Sequence, residues 1–156
     1  MPLIIKGPLL EQGAVCEPIL RALPDWFGIE EATQQYVRDI ETLPTLLAVL
    51  DDAVVGFLTL KQHTAYAWEI HVMGVRPEAH RRGVGRTLIE QAEAYLRDQN
   101  AEYLQVKTLS AAHLDAGYAR TRRFYRAVGF RPLQEFPTLW GKENPCLQMI
   151  KALRNV

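Results

Sequence analysis

The stretch His80 to Leu96, HRRGVGRTLIEQAEAYL, joins a glycine turn to an amphipathic helix and so limits the folds that can hold it. Leu88, Ile89, Ala92, Tyr95 and Leu96 recur on one side at a 3.6-residue period, which predicts a helix over 84–98. Glycine costs a helix about 1 kcal/mol relative to alanine, so Gly83 and Gly85 at its start need another reason. Glycines there let backbone N–H groups close on an anion, and the helix dipole adds to the attraction. An apolar run, Trp68 to Val75, precedes the turn and is ended by Pro77, which cannot donate to a sheet ladder. The unit is strand, turn, helix, with the turn suited to negative charge.

The rest of the chain builds around that unit. Leu3 to Lys6 predicts a first strand, closed by Gly7-Pro8, and residues 14–23 predict a helix stopped by Pro24. A second helix is expected from Glu30 to Thr42, with Ile29, Tyr36, Val37 and Ile40 on its apolar side. Thr45 to Leu50 and Val54 to Gln62, joined by Asp51-Asp52, read as a hairpin. Glu102 to Thr108 alternates as a strand, Tyr118 to Val128 as a helix, and Arg131 to Gln134 and Cys146 to Lys151 as two last strands. Hairpins followed by β-α-β crossovers imply a mixed α/β (α+β) fold with a largely antiparallel sheet. No repeat or linker divides the 156 residues, so a single domain over 1–156 is expected.

Composition narrows the function. Lysine plus arginine equals aspartate plus glutamate at 18 each, so no overall field draws the chain to nucleic acid or an anionic membrane. The run Arg120 to Arg126, RTRRFYR, then reads as a solvated helix face rather than a nucleic-acid patch. No stretch has the roughly 18 apolar residues of a membrane span, and the N-terminus lacks a signal-peptide pattern, which points to the cytoplasm. Cys16 and Cys146 lie far apart, form no metal-ligand spacing and read as small buried hydrophobes. No metal is expected.

Two nucleotide-binding patterns fail at the turn. A P-loop needs four residues between its glycines and then Gly-Lys-Ser/Thr, which is absent. The dinucleotide fingerprint needs a third glycine where Leu88 stands and a turn directly after its strand, whereas Arg76 to Arg82 intervene before Gly83. The whole stretch Val72 to Ile89, VMGVRPEAHRRGVGRTLI, instead resembles the acyl-CoA-binding segment of GNAT-type N-acetyltransferases. Val75-Arg76-Pro77-Glu78 matches the family's V-x-P-E turn, and the residues through Arg86 match its glycine loop; His80 stands where the family usually has Gln or Arg. Thr121 to Phe130, TRRFYRAVGF, is similar to the family's A-x-x-F-Y-x-x-x-G-F, with Thr121 in place of Ala and Tyr118 in place of a frequent Asn.

The resemblance implies acetyl-CoA as co-substrate, with the backbone at Arg81, Arg82, Gly83, Val84, Gly85 and Arg86 around its pyrophosphate. It implies that the strand at Met73, Gly74 and Val75 binds the pantetheine arm, that a backbone N–H there serves the oxyanion, and that Tyr125 protonates the departing thiolate. Gly74 either permits an irregular backbone or relieves crowding. Glu69, on the strand entering that segment, is the expected base, with His71 on the same face as its rival. Helices 1 and 2 in this family wall the acceptor pocket, which points to Trp26, Phe27 and Tyr36, with His113, Asp115 and Tyr118 able to approach from the other side. Asp25, Glu30, Glu31, Asp39 and Glu41 make this region acidic, which suits a basic acceptor or a solvated helix face. No cysteine or serine sits in a nucleophile motif, so direct transfer to an amine in a ternary complex is expected; a non-catalytic acyl-CoA-binding module on the same fold is the alternative. A homodimer is compatible with the resemblance, and no residue decides it.

Overall fold

A computed structural model describes residues 2–112 and 115–154. Its elements are β1 (Ile4–Leu9), α1 (Gly13–Arg21), α2 (Glu30–Thr42), β2 (Thr45–Leu50), β3 (Ala53–Gln62), β4 (Ala67–Val75), a 3-10 turn (Pro77–Ala79), α3 (Val84–Asp98), β5 (Tyr103–Leu109), α4 (Ala116–Ala127), β6 (Arg131–Phe136) and β7 (Cys146–Ala152). This is the order expected, and α2, β2 and α3 fall on the expected residues. The seven strands run in the sheet order β1-β2-β3-β4-β5-β7-β6, and of the pairings described only β4–β5 is parallel. The fold is therefore a mixed, mostly antiparallel α/β sheet with helices. Packing divides the chain into two compact units, with the chain passing between them after Lys61, Ile70 and Tyr95.

The first unit holds β1 to β3, the second half of β4, α1, α2 and most of α3. Asp51 and Asp52 have φ of 53° and 64°, so the β2–β3 hairpin closes through a two-residue turn whose twist matches the strands. β2 is buried along its whole length. β1 does not close at Gly7-Pro8 but runs on to Leu9, with its register against β2 shifting between Lys6 and Leu9; an edge strand tolerates a proline there. Helix α1 contains Pro18 and ends at Arg21, short of Pro24. Its first N–H, on Gly13, donates to Glu41 Oε1 of α2 at 2.8 Å, so one of the expected acidic-face residues is a cap. Cys16, Ile19, Leu20 and Leu23 pack with Ile40, Leu47, Phe57 and Val72 into this unit's core.

The second unit takes the first half of β4 with β5, β7, β6 and α4. β4 and β5 pair in parallel from Ala67–Tyr103 to Ile70–Val106, and β5 pairs antiparallel with β7 along its length. Leu104, Val106, Phe130, Met149 and Leu153 are buried here. Helix α4 starts two residues earlier than expected because Asp115 is its N-cap, accepting the Tyr118 N–H at 3.1 Å.

Candidate active site

The glycine turn has the shape its sequence implied. After β4 the 3-10 turn is closed by the Ala79 N–H to Arg76 O and the His80 N–H to Pro77 O. Arg81 and Gly83 both adopt the left-handed region, at φ 66° and 78°, with one residue between them. Alternation of this kind turns successive N–H groups toward one side, the geometry of an anion nest. Gly83 is free of neighbours within 4 Å of where a Cβ would stand, so its glycine serves the backbone angle and leaves that side open. The Thr87 N–H makes the first helical bond, to Gly83 O at 3.0 Å, and the Thr87 hydroxyl donates to the same oxygen. The amides of Val84, Gly85 and Arg86 lie ahead of that bond, where a helix offers them no acceptor. Arg81, Arg82 and Arg86 are exposed around them.

Two contacts hold this loop in place. The His80 ring bonds through Nε2 to Val75 O at 2.7 Å, tying the loop back to β4, and meets Trp26 edge-on at 6.4 Å between centroids. His80 is thus a brace. Val84 is buried and rests against Gly56 of β3, where an added Cβ would lie 3.1 Å from Val84 Cγ1 and 3.4 Å from Leu88 Cδ1. Gly74 lies outside the left-handed region. A Cβ there would meet Leu23 Cδ1 at 3.1 Å and Ile19 Cγ2 and Phe57 Cε1 at 3.3 Å, so it relieves crowding under α1.

Glu69, His71, Met73 and Val75 share one face of β4 by alternation, yet the first two have different surroundings. Glu69 is buried: Oε1 meets His63 Nε2 at 2.6 Å and Oε2 accepts from Lys107 Nζ at 3.0 Å. Both carboxylate oxygens are engaged. His71 is partly open and pairs through Nε2 with Asp39 Oδ2 of α2 at 2.8 Å. Tyr36, one helical turn before Asp39, packs edge-on against the His71 ring at 5.7 Å, and Phe27 packs on Tyr36 at 5.8 Å. Trp26, Phe27 and Tyr36 also pack against the core while remaining partly open. Of the other acidic residues, Glu30 accepts from Nη1 and Nη2 of Arg21. Glu30, Asp39 and Glu41 of that region thus each have their own partner.

Tyr125 is buried on α4, and the helix end fixes it. Gly129 has φ 106°, its N–H reaches Arg126 O, and the Phe130 N–H returns to Tyr125 O at 2.9 Å. This is a Schellman ending, completed by the Tyr125 and Phe130 rings 5.5 Å apart. Arg122 donates to Leu109 O, so one arginine of the basic run secures α4 to β5. His113 lies outside the described residues. Asp115 is the cap of α4.

Burial pushes the Cys16 thiol up to about 12 and that of Cys146 up to about 11, which suppresses nucleophilic thiolate at neutral pH. Among the described residues, no cluster of three His, Cys, Asp or Glu could hold a metal ion, and no helix is long and apolar enough to cross a membrane. Gln35, His63 and Lys107 were not singled out from sequence, and Asp39 was named only as one of the acidic residues of the region. Asp39 was legible as the residue one turn after Tyr36 on α2; the others depend on how strands and helices come together.

The fold and the glycine loop define a class. The model of the acetyltransferase (GNAT) family matches residues 17–130, and the chain belongs to that family. Mycothiol acetyltransferase of Beutenbergia cavernae is 33% identical over 103 residues, which cover 62% of this chain and 33% of that protein. The chain thus matches about a third of that relative's length. A GNAT-family acetyltransferase structure from Desulfovibrio desulfuricans superposes with a TM-score of 0.82 at 16% identity, covering 98% of this chain and all of the other. An aminoglycoside 6'-N-acetyltransferase complexed with coenzyme A gives 0.76 at 18% identity, covering 98% of each chain.

Proposed function

We propose that the chain acts as one N-acetyltransferase domain that moves an acetyl group from acetyl-CoA to a primary amine by direct transfer in a ternary complex. The observation that carries this reading is the turn at Arg81 and Gly83, whose two left-handed residues precede the bare amides of α3. That arrangement suits a pyrophosphate, and the three exposed arginines add charge. Met73 to Val75 would hold the pantetheine arm and supply an N–H to the oxyanion. Raised cysteine pKa values support direct transfer over an acyl-enzyme.

The chemistry has three requirements. An alkyl ammonium, with a pKa near 10, must lose a proton to expose its lone pair. Nitrogen then attacks the thioester carbon, a C–N bond forms and the C–S bond breaks. Of the two protons that leave nitrogen, one ends on the coenzyme A sulfur, delivered by Tyr125, and one goes to solvent. The products are an amide, free thiol and one proton per turnover. Glu69, expected as the base, is buried and has both oxygens engaged, by His63 and by Lys107.

The test is unfolding with and without acetyl-CoA, followed by thiol release with aminoglycosides, polyamines and peptides bearing a free N-terminus. At 100 times its dissociation constant acetyl-CoA adds about 2.7 kcal/mol, and at least one amine accelerates thiol release. Tyr125→Phe slows that release while acetyl-CoA still raises the midpoint. Acetyl-CoA binding without thiol release from any amine would make the chain a binding module, and no midpoint shift would overturn the acyl-CoA reading itself.

A further inference from the structure

His71 and Asp39 are joined to more than each other. Asp39 Oδ2 meets His71 Nε2 at 2.8 Å, while Asp39 Oδ1 accepts from Gln35 Nε2 at 2.7 Å. Gln35 Oε1 accepts in turn from Arg38 at 2.8 Å. Both carboxylate oxygens of Asp39 are thus occupied, one by His71 of β4 and one by Gln35 of its own helix. Gln35 and Arg38 hold the Asp39 side chain from within α2, with its other oxygen aimed at His71 on β4. A carboxylate accepts and does not donate, so the neutral imidazole must carry its proton on Nε2. Its lone pair then lies on Nδ1, the other side of the ring.

We infer that Asp39 is a positioning residue that fixes the Nε2–H tautomer of His71, and that His71 Nδ1 is the group that takes the proton from the acceptor ammonium. The inference rests on the transferase reading above. His71 is suited to the task where Glu69 is not: its side chain is 19% exposed against 9% for Glu69, and only one of its nitrogens is engaged by Asp39. It stands on the same face of β4 as Met73 and Val75, two residues before the segment expected to bind the pantetheine arm. Tyr36 packs against the ring and Phe27 against Tyr36, so an amine reaching Nδ1 meets an aromatic surface, which suits an organic cation. Once protonated, the imidazolium forms an ion pair with Asp39, which stabilises the charge at the moment the amine becomes nucleophilic. His71 then passes the proton to solvent and returns to its starting tautomer.

The experiment compares wild type, His71→Gln and Asp39→Asn, using whichever tested amine gives most thiol. His71→Gln should lower kcat by about 100- to 10,000-fold, the range for losing a general base, with the KM for acetyl-CoA little changed. The fall of rate on the acid side of the pH profile should vanish with it. Among the described residues, Asp39 and Tyr36 from α2 meet the ring, with Glu69 two residues away on β4 and paired with Lys107. Asp39→Asn should cost about tenfold or more but less than His71→Gln, because the base remains and only its tautomer is released. Nitrogen-15 NMR of the His71 ring reads that tautomer directly: Nε2–H in the wild type, a mixture in Asp39→Asn. A wild-type ring with its proton on Nδ1 would overturn the proposal whatever the kinetics. Wild-type turnover with His71→Gln equally fast and equally pH-dependent would overturn the base assignment and leave the transferase reading standing. A wild type that frees no thiol from any amine would remove both.

Discussion

Helix α3 can present its first turn only because β3 carries no side chain at Gly56, and Gly56→Ala tests that dependence. A Cβ at this position would lie 3.1 Å from Val84 Cγ1, 3.2 Å from Gly74 O and 3.4 Å from Leu88 Cδ1. The first two contacts are tighter than ordinary van der Waals packing. Relief is restricted, because Val84 is 2% exposed, Leu88 fully buried, and the Gly74 carbonyl belongs to a sheet strand. Overpacking of this kind costs about 1–3 kcal/mol. At about 2–4 °C per kcal/mol for a chain of this size, the midpoint falls by roughly 2–12 °C. Urea denaturation should show a lower midpoint with an unchanged slope. Acetyl-CoA affinity should fall too, since the strain is relieved by lifting Val84 and with it the amides that follow Gly83. The decisive control is Val84→Ala, which removes the Cγ1 in conflict. If the clash is the cause, the double variant is less destabilised than the sum of the singles by about 0.5–3 kcal/mol. A Gly56→Ala chain as stable as wild type, or strictly additive effects, would refute the reasoning.

Two further outcomes are expected. With thiol pKa values raised to about 12 at Cys16 and about 11 at Cys146, both should resist iodoacetamide near neutral pH in the folded chain and react on unfolding. Because folding raises both values, the unfolded thiols ionise first. The stability they contribute is complete below about pH 9 and is lost as pH rises toward the folded values, which urea titrations at pH 8 to 10.5 would detect. Lys107→Met should destabilise the fold, toward the lower end of the about 3–5 kcal/mol typical of a broken buried pair, because Glu69 keeps His63 as a partner. A neutral result in chemical denaturation would mean that the pair contributes nothing.

Much of this protein was determined by its sequence alone. The helix period from Leu88 to Leu96, the aspartate pair between two apolar runs and the glycine after the Phe124-Tyr125 pair are local signals, and local backbone preference decides them. So α2, β2 and α3 appear where the residues place them, and the left-handed angle at Gly83 is one that glycine adopts without steric cost. The element ends that shifted have local but competing causes: an edge position lets β1 continue past Pro8, and the Asp115 cap starts α4 early.

Tertiary structure decided the partners. Alternation along β4 puts Glu69 and His71 on one face, but nothing within that strand says that Glu69 meets Lys107 from β5 while His71 meets Asp39 from α2. Sequence likewise leaves open whether Gly74 frees a backbone or makes room; three side-chain ends within 3.3 Å of its missing Cβ settle that as room. The physical reason is range. Backbone propensity and side-chain period act over a few residues, whereas the groups a carboxylate meets are brought beside it from 32 or 38 positions away.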